Sequence, residues 1–561
     1  MPIQDIAYDY RKKRRTFNGN RYKNLYLFDK FKIGDYSMDN DKDETISTSN
    51  NYEDLVNFFS KWRELQKPNV VNGVPDYTVQ AMAEQKRLVP KLKRDLSAID
   101  CSNWPIPQQI DYEIVQAEIN GLEFDHRILK PWARNPIFYA VIQMEEPDVP
   151  AREDPEIYDV LNVFEFSFPL NEKDQTIFKE KLTAIPDILL QAKQNLIEEA
   201  GDLWLLAIQK KKRESTNLAN LASQFDISNP NLANLAQRAQ AAVDDFAVWL
   251  EQKHKGMKAF SGIGVAEFDR YMKEVHLVPY SWKEQVELIE RELERSLASL
   301  ALEEHRNRHL PALKVAGSLG DIQDRRKKSV AEFMSFLQNE GIFTVPDYMQ
   351  LSDEVRAFIP PEQLDFFTHV MYRDPLVLGC HGVHWLEKQR EKRNVHPIRG
   401  GALLYKIWDS RAEGLATAFE ELMMQAGIFE EHPRAKELVY IMLAFRAIRA
   451  IGGLKLHSGE FTLEEAITYA VEKTPRGYIQ PNSNMILQDY ALYLSDPGYG
   501  SSYVIGKLQL DRLIADRATQ LGERFRLKDF FDDYFARGVI PASLIRWEMT
   551  ALDDEIQKLR E

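Results

Sequence analysis

Cysteine is nearly absent from this chain, which has only Cys101 and Cys380 among its 561 residues. Two cysteines so far apart exclude a disulfide framework and a zinc site built on closely spaced cysteine pairs. The chain has no Asn-x-Ser/Thr sequon, and residues 1–30 have no apolar core of the kind that a signal peptide needs. These absences predict a protein of a reducing compartment, and we expect a cytoplasmic location.

Long apolar runs and an excess of positive charge are also missing. The most apolar stretch, 438–454, is interrupted by Arg446 and Arg449, so no segment is expected to span a bilayer. Acidic residues number 86 against 72 basic ones, for a net charge of −14, which repels a phosphate backbone. We therefore expect neither a nucleic acid nor a membrane as a partner; the oligomeric state stays open.

Helical patterns dominate the chain, whereas strand patterns are rare. Ser281 and Glu284 have the spacing of a capping box, and apolar residues then recur at three- and four-residue steps through Val286, Ile289, Leu293, Leu297 and Leu300. A second helical pattern, 406–426, ends at Gly427, which is typical of a helix C-terminus. Only the short runs 138–144 and 160–168 are rich in β-branched and aromatic residues. The sequence predicts a mostly α-helical fold with at most a small β-sheet.

Composition also indicates where the chain divides. Residues 35–51 are rich in Asp, Asn, Ser and Thr and predict a mobile segment, and proline clusters at 147–155 and 360–361 are candidate boundaries. We expect an N-terminal region 1–104, a helical half 105–360, and a C-terminal half 361–561 that carries the active-site cavity.

The histidines give the clearest chemical pattern. His381 and His384 are three residues apart and would share one face of a helix, Glu387 follows three residues later, and Glu413 begins another helical stretch. Two helical histidines with a carboxylate from a later helix are a standard ligand set for catalytic zinc. Ordinary packing beside Trp385 would explain the same histidine pair, so these residues alone leave both interpretations open.

Several blocks of the chain resemble a known family. They lie at 110–112, 129–136, 185–196, 413–416, 497–506 and 538–541, and they include Glu-Gly-Leu-Ala, Pro-Gly-Tyr-x-x-x-Tyr-x-Ile-Gly and Gly-x-x-Pro. In this order they resemble the family catalogued as domain of unknown function eight-eight-five, from about residue 105 to about residue 550. The resemblance implies a large zincin-like, mostly helical metallohydrolase fold with two halves around a central cleft. It also implies that Glu413 is the third metal ligand.

The departures from that family fall in its presumed active site. Where the family has His-Glu-x-x-Pro-Gly-His-His, this chain reads Leu-Gly-Cys-His-Gly-Val-His-Trp at 378–385, so either Gly379 or Gly382 replaces the general-base Glu. A glycine cannot take a proton from metal-bound water. In the family's Asp-x-Gly-x-His block only His457 remains, and Tyr499 replaces a Gln.

These matches and departures lead to a set of expected site residues. His381, His384 and Glu413 are expected to bind a divalent transition metal, with zinc among the candidates. Proton transfer would then fall to one of three other groups, namely Glu387, His457 or Tyr503. Residues near the motif blocks are expected to bind the substrate, and these are Arg399, Arg446, Arg449, Lys455 and Tyr499.

The resulting functional prediction is an intracellular enzyme derived from a zincin-type metallohydrolase. It would act as a metal-dependent lyase, isomerase or non-peptide hydrolase on a small polar, carboxylate-bearing or short peptide-like substrate. Two alternatives remain open. One is a catalytically inactive zincin-like binding or scaffold protein, and the other is a metallopeptidase with a shifted metal site.

Overall fold

The computed structural model of the protein describes residues 49–225, 229–480 and 483–561. Residues 35–48 of the segment predicted to be mobile lie outside these ranges, as do residues 1–48 of the expected N-terminal region. The described residues are mostly helical, which confirms the predicted fold class. The helices are α1 (Tyr52–Leu65), α2 (Val79–Ser97), α3 (Ile106–Phe124), α4 (Pro131–Arg134), α5 (Glu172–Asn195), α6 (Gly201–Phe225), α7 (Pro230–His254), α8 (Val265–Glu274), α9 (Trp282–Arg306), α10 (Leu319–Asn339), α11 (Phe366–Met371), α12 (Pro375–His381), α13 (Val383–Glu391), α14 (Asp409–Ala426), α15 (Ala435–Ser458), α16 (Leu463–Lys473), α17 (Asn484–Ser495), α18 (Tyr499–Leu521), α19 (Leu527–Ala536), α20 (Ala542–Thr550) and α21 (Asp554–Arg560).

The strands of the described residues form two pairs of two residues each, and an isolated bridge joins Ser49 to Ile99. Strands β1 (Val70–Val71) and β2 (Val74–Pro75) are antiparallel, and β3 (Ile142–Gln143) and β4 (Leu161–Asn162) are parallel. The two β-rich runs of the sequence therefore contribute one short strand each, and 3-10 turns occupy much of the remainder. No helix in the described part of the chain is both long enough and apolar enough to cross a membrane.

The helix ends follow the local sequence signals. Ser281 caps α9, and the reciprocal bond from Glu284 completes the predicted capping box. Gly427 ends α14 with a φ of 107°, a left-handed conformation that glycine adopts without strain. The helix predicted to begin near residue 406 begins instead at Asp409, because Lys406 has a φ of 52°.

Helix α15 is the central element of the fold. Nearly every side chain from Ala435 to His457 is buried, including Arg446 and Arg449, and the helix contributes to both large apolar clusters of the protein. Each of these clusters draws residues from both sides of position 360. The division into halves and the central cleft stay predictions.

Helices α14 and α18 cross at two glycines. A Cβ atom added to Gly414 would lie 2.3 Å from the carbonyl carbon of Gly506, and one added to Gly506 would lie 1.9 Å from the backbone oxygen of Ser410. Only glycine allows two backbones to approach so closely. This crossing brings Glu413 of α14 next to Tyr499 at the start of α18.

Candidate functional site

Two histidines and an aspartate form a possible ligand cluster. His381 ends α12, His384 belongs to α13, and Asp148 comes from the proline-rich segment between β3 and β4. One ligand atom from each of the three lies within 4.8 Å of the others. The spacing predicted that the two histidines would share one face of a single helix. They do not, because the helix is interrupted at Gly382. Their rings nevertheless lie close together, with centroids 4.9 Å apart.

Glu413 contacts this cluster through His384. Its Oε2 lies 3.3 Å from Nε2 of His384, and both side chains are buried. Burial disfavours the imidazolium, but the neighbouring carboxylate outweighs it and raises the pKa of His384 to about 9. Burial likewise disfavours the carboxylate, yet His384 lowers the pKa of Glu413 to about 2. Without a metal the two groups form a charged pair.

Tyr499 extends this pair toward a second carboxyl group. Its hydroxyl lies 2.7 Å from Oε1 of Glu153 and also contacts Oε1 of Glu413. Burial, helped by the charge of Asp148, raises the pKa of Glu153 to about 8. Glu153 is therefore mostly protonated at neutral pH and can donate to Tyr499, which in turn donates to Glu413. The hydroxyl of Tyr503 lies 3.5 Å from that of Tyr499.

His381 has a carboxylate on its other side. Its Nδ1 lies 3.1 Å from Oε1 of Glu420, and Arg446 donates two hydrogen bonds of 2.8 Å to the same carboxylate. Histidine ligands of metals commonly donate the second ring N–H to a carboxylate, which fixes the tautomer. Nη2 of Arg446 also lies 3.0 Å from this Nδ1, and a guanidinium can only donate, so this contact favours Nδ1 as an acceptor with the ring proton on Nε2. For Nε2 of His381 to bind a metal, the proton must move to Nδ1, where Glu420 can accept it.

The donor set is therefore suited to a metal ion. It contains two imidazoles and the carboxylates of Asp148 and Glu413, which are the ligand types of zinc and related transition metals. For His384 to bind a metal it must lose the proton that pairs it with Glu413, so metal and proton compete for this position.

Two cavities adjoin these residues. The larger, of about 540 Å³, is lined by Glu153, Tyr503 and Arg449 together with other charged side chains. The smaller, of about 150 Å³, is lined by Asp148, His384 and other residues. Members of the network thus line both cavities.

Arg449 is a cation of the larger cavity that has an N–H group without a hydrogen-bond partner in the described part of the chain. It donates a hydrogen bond of 2.7 Å to Asp489, while its Nη2 is buried with no hydrogen-bond partner among the described residues. The side chain also lies against the rings of Phe445 and Tyr503. A guanidinium with a free N–H group can bind a further carboxylate.

The remaining predicted site residues are engaged elsewhere. Glu387 lines the smaller cavity, but it is held by two hydrogen bonds from the buried Arg411, so it has little freedom to transfer protons. Arg399 is held in ion pairs with Asp111 and Glu548.

His457 and Lys455 are likewise held away from the histidine pair. Nε2 of His457 lies 2.8 Å from the backbone oxygen of Tyr493, and burial lowers the pKa of this histidine to about 4. It is neutral at pH 7, and its Nε2 is already engaged with a backbone oxygen. Lys455 lies over the ring of Phe461 and within 3.9 Å of Glu460.

Sequence reasoning missed Asp148 and Glu153. Both belong to the 147–155 segment, whose prolines were interpreted as a domain boundary. The available signal was its acidic content, since 145–155 reads Glu-Glu-Pro-Asp-Val-Pro-Ala-Arg-Glu-Asp-Pro. Nothing in that pattern places the segment beside residues more than 200 positions later.

Comparison with known families supports the resemblance noted in the sequence. Residues 396–549 match the family described as "Bacterial protein of unknown function (DUF885)". This range includes Glu413, Tyr499 and Tyr503 but begins after His381 and His384. The match confirms the family name over these residues and carries no activity with it. No curated protein matches the chain.

Two solved structures share the fold. A "putative lipoprotein of unknown function" from Shewanella oneidensis is 14% identical with a TM-score of 0.65, and the match covers 89% of this chain and 99% of that one. A "putative lipoprotein" from Colwellia psychrerythraea is also 14% identical with a TM-score of 0.63, and the match covers 91% of this chain and 100% of that one.

These neighbours overturn the prediction of a cytoplasmic location. Lipoproteins are attached to a membrane by lipid, and both structures carry that name. The prediction was wrong in its reasoning, because a low cysteine count and missing sequons fit an exported bacterial protein as well as a cytoplasmic one.

Proposed function

We propose that the chain is a metal-dependent enzyme that acts on a small, polar, carboxylate-bearing substrate in the cavity of about 540 Å³. The observation that carries this proposal is the position of Glu153. It lines the cavity and is connected through the Tyr499 hydroxyl to Glu413, which contacts His384.

Glu153 supplies the acid–base group that the motif lacks. A general acid or base works best when its pKa is near the working pH, and the pKa of Glu153 is about 8. In the protonated state it can donate to a leaving group in the cavity, and in the ionised state it can accept a proton from water or substrate. Tyr499 holds its carboxyl group in place, and the negative charge of Glu413 favours the protonated form of Glu153.

Asp148, His381, His384 and Glu413 would hold the metal. A divalent transition metal at this position supplies Lewis-acid polarisation of a carbonyl group or acidification of a bound water. In the metal-bound state Glu420 would accept a hydrogen bond from Nδ1–H of His381, and Arg446 holds Glu420 by two hydrogen bonds.

Arg449 and Tyr503 would bind the substrate. The free N–H group of Arg449 suits a carboxylate, and Tyr503 can donate a hydrogen bond to an oxygen that gains negative charge in the reaction. This arrangement favours a hydrolase or lyase that acts on a compact acid over an enzyme that binds a long apolar chain.

A binding protein without activity is the second candidate. The observation that favours it is the His384–Glu413 contact, since each partner stabilises the charged form of the other with no metal present. A binder of this kind would hold the carboxylate ligand at Arg449 without converting it.

The test is an activity screen of metal-loaded protein on small esters, amides, dipeptides and hydroxy or amino acids. Glu153→Gln keeps the shape of the side chain and should lower kcat by about 10²- to 10⁴-fold, the usual contribution of a general acid or base. Glu145→Gln is the matched control, because Glu145 lines the same cavity but lies at its exposed edge. Equal loss in both variants, or no turnover by the wild type, would contradict the proposal.

A further inference from the structure

A second cluster of buried ligand groups lies behind the site. His276 follows α8, Asp409 is the first residue of α14, and Asp496 lies between α17 and α18. The three side chains are 2%, 0% and 1% exposed, and one ligand atom from each lies within 4.8 Å of the others. This cluster does not depend on the function proposed above.

The polar atoms of this cluster have no hydrogen-bond partners. Both carboxylate oxygens of Asp409, both of Asp496 and Nε2 of His276 are buried without a partner among the described residues. Buried polar groups in proteins are nearly always satisfied, and a buried charge without a partner is especially costly. Among the described residues, Oδ2 of Asp496 has only the ammonium group of Lys406 near it, at 3.3 Å. The convergence of the three side chains points to a ligand that accepts an electron pair from each of them.

The distances agree with a shared metal ion. Nε2 of His276 and Oδ1 of Asp496 are 3.9 Å apart, which is too far for a hydrogen bond. Two ligands that each lie about 2.1 Å from a tetrahedral metal are about 3.4 Å apart. The two groups are therefore not bonded to each other, and a cation between them would draw them together by about 0.5 Å.

The local charges also leave room for a cation. Nζ of Lys406 lies 3.3 Å from Oδ2 of Asp496 and also donates to the backbone oxygen of Glu153. Lys406 supplies one ammonium group for two buried carboxyl groups, and burial together with the charge of Asp496 raises the pKa of Asp409 well above its usual range. A cation that binds both side chains would replace the proton of Asp409. Asp125 adds a further carboxyl group that interacts with both Lys406 and Asp496.

We propose that His276, Asp409 and Asp496 bind a structural divalent transition metal, distinct from the ion expected at His381 and His384. One imidazole and two carboxylates suit zinc or manganese. Because the cluster is closed to solvent, the ion stabilises the fold rather than acting on substrate.

The position of this site gives the ion a defined role. Asp409 lies one helical turn before Glu413 on α14, and Asp496 lies three residues before Tyr499. An ion that joins the two aspartates fixes the start of each helix and therefore the contact between Glu413 and Tyr499. Gly498 makes room for the histidine, because a Cβ atom there would lie 2.8 Å from Cε1 of His276.

The test uses the full chain carrying His381→Ala and His384→Ala, which removes the first site. After zinc loading and desalting, elemental analysis should find about one equivalent of zinc in this variant, and Asp409→Asn in the same background should remove it. A chelator should lower the Tm of the first variant and leave the Tm of the Asp409→Asn variant unchanged. Manganese is tested in the same way.

Two outcomes would overturn the proposal. Equal zinc content with and without Asp409→Asn would place the metal elsewhere. No bound zinc or manganese in either protein would mean that a shared proton or water satisfies the aspartates. His276→Gln in the otherwise wild-type chain provides a second variant if Asp409→Asn does not fold, and it should lower the zinc content by about one equivalent. His432→Gln is the control, because His432 pairs with Asp374 and Glu332 outside the cluster and should leave the zinc content unchanged.

Discussion

The crossing of α14 and α18 can be tested by adding a single methyl group. In Gly506→Ala the new Cβ atom would lie 1.9 Å from the backbone oxygen of Ser410, whereas an unstrained contact is roughly 3.4 Å or longer. Both helices present backbone at this point, so no side chain can rotate away and the helices must separate by more than about 1 Å. Overpacking typically costs about 1–3 kcal/mol, and the rigid contact here places Gly506→Ala at about 3 kcal/mol or more.

The same separation should disrupt the site. Glu413 lies on α14 and Tyr499 on α18, so a shift of more than about 1 Å breaks the hydrogen bond between them. Urea unfolding followed by circular dichroism measures the loss of stability. Gly379→Ala is the matched control, because Gly379 is also a buried helical glycine, but the nearest atom to its added Cβ would be 4.0 Å away. This control should be neutral or stabilising by up to about 1 kcal/mol. The reasoning is refuted if Gly506→Ala unfolds within about 0.5 kcal/mol of the wild type.

Three further predictions concern other buried groups. Arg446→Met leaves Glu420 without its bidentate partner in the interior and should cost about 3–5 kcal/mol in urea unfolding, whereas a loss below about 1 kcal/mol would contradict the pairing. Asp374 raises the pKa of His432, so the stability that this pair adds should be present below about pH 6.5 and be lost as the pH rises through the folded-state pKa; His432→Gln should remove that dependence from Tm measured against pH. Cys380 is fully buried with its thiol pKa raised by burial, so a thiol reagent should modify it only in denaturant, and rapid labelling of Cys380 in the native protein would contradict its placement.

The sequence predicts the helical class and several helix ends because those features depend on local spacing. The capping box at Ser281 and the end of α14 at Gly427 depend only on residues close to them in the sequence. The sequence also placed His384 and Glu413 in one candidate metal site, and the two side chains lie 3.3 Å apart in the structure; their joint binding of a metal stays a prediction.

The rest of the site depends on contacts between distant parts of the chain. Glu153 reaches Tyr499 across 346 positions, from a segment without regular structure whose path no local pattern specifies. The partners of Arg399 and His457 also depend on contacts between distant parts of the chain. Charge and residue type indicate what a side chain can bind, but the partners it finds in the folded chain, Asp111 for one and the backbone of Tyr493 for the other, are set by tertiary packing.

The most direct test of the central claim is the metal content of the purified wild type beside a variant that carries His381→Ala and His384→Ala. After growth with added zinc, iron and manganese, the wild type should contain about one equivalent of transition metal more than the variant. Equal metal content in the two proteins, with both folded, would contradict the assignment of a metal centre to these histidines.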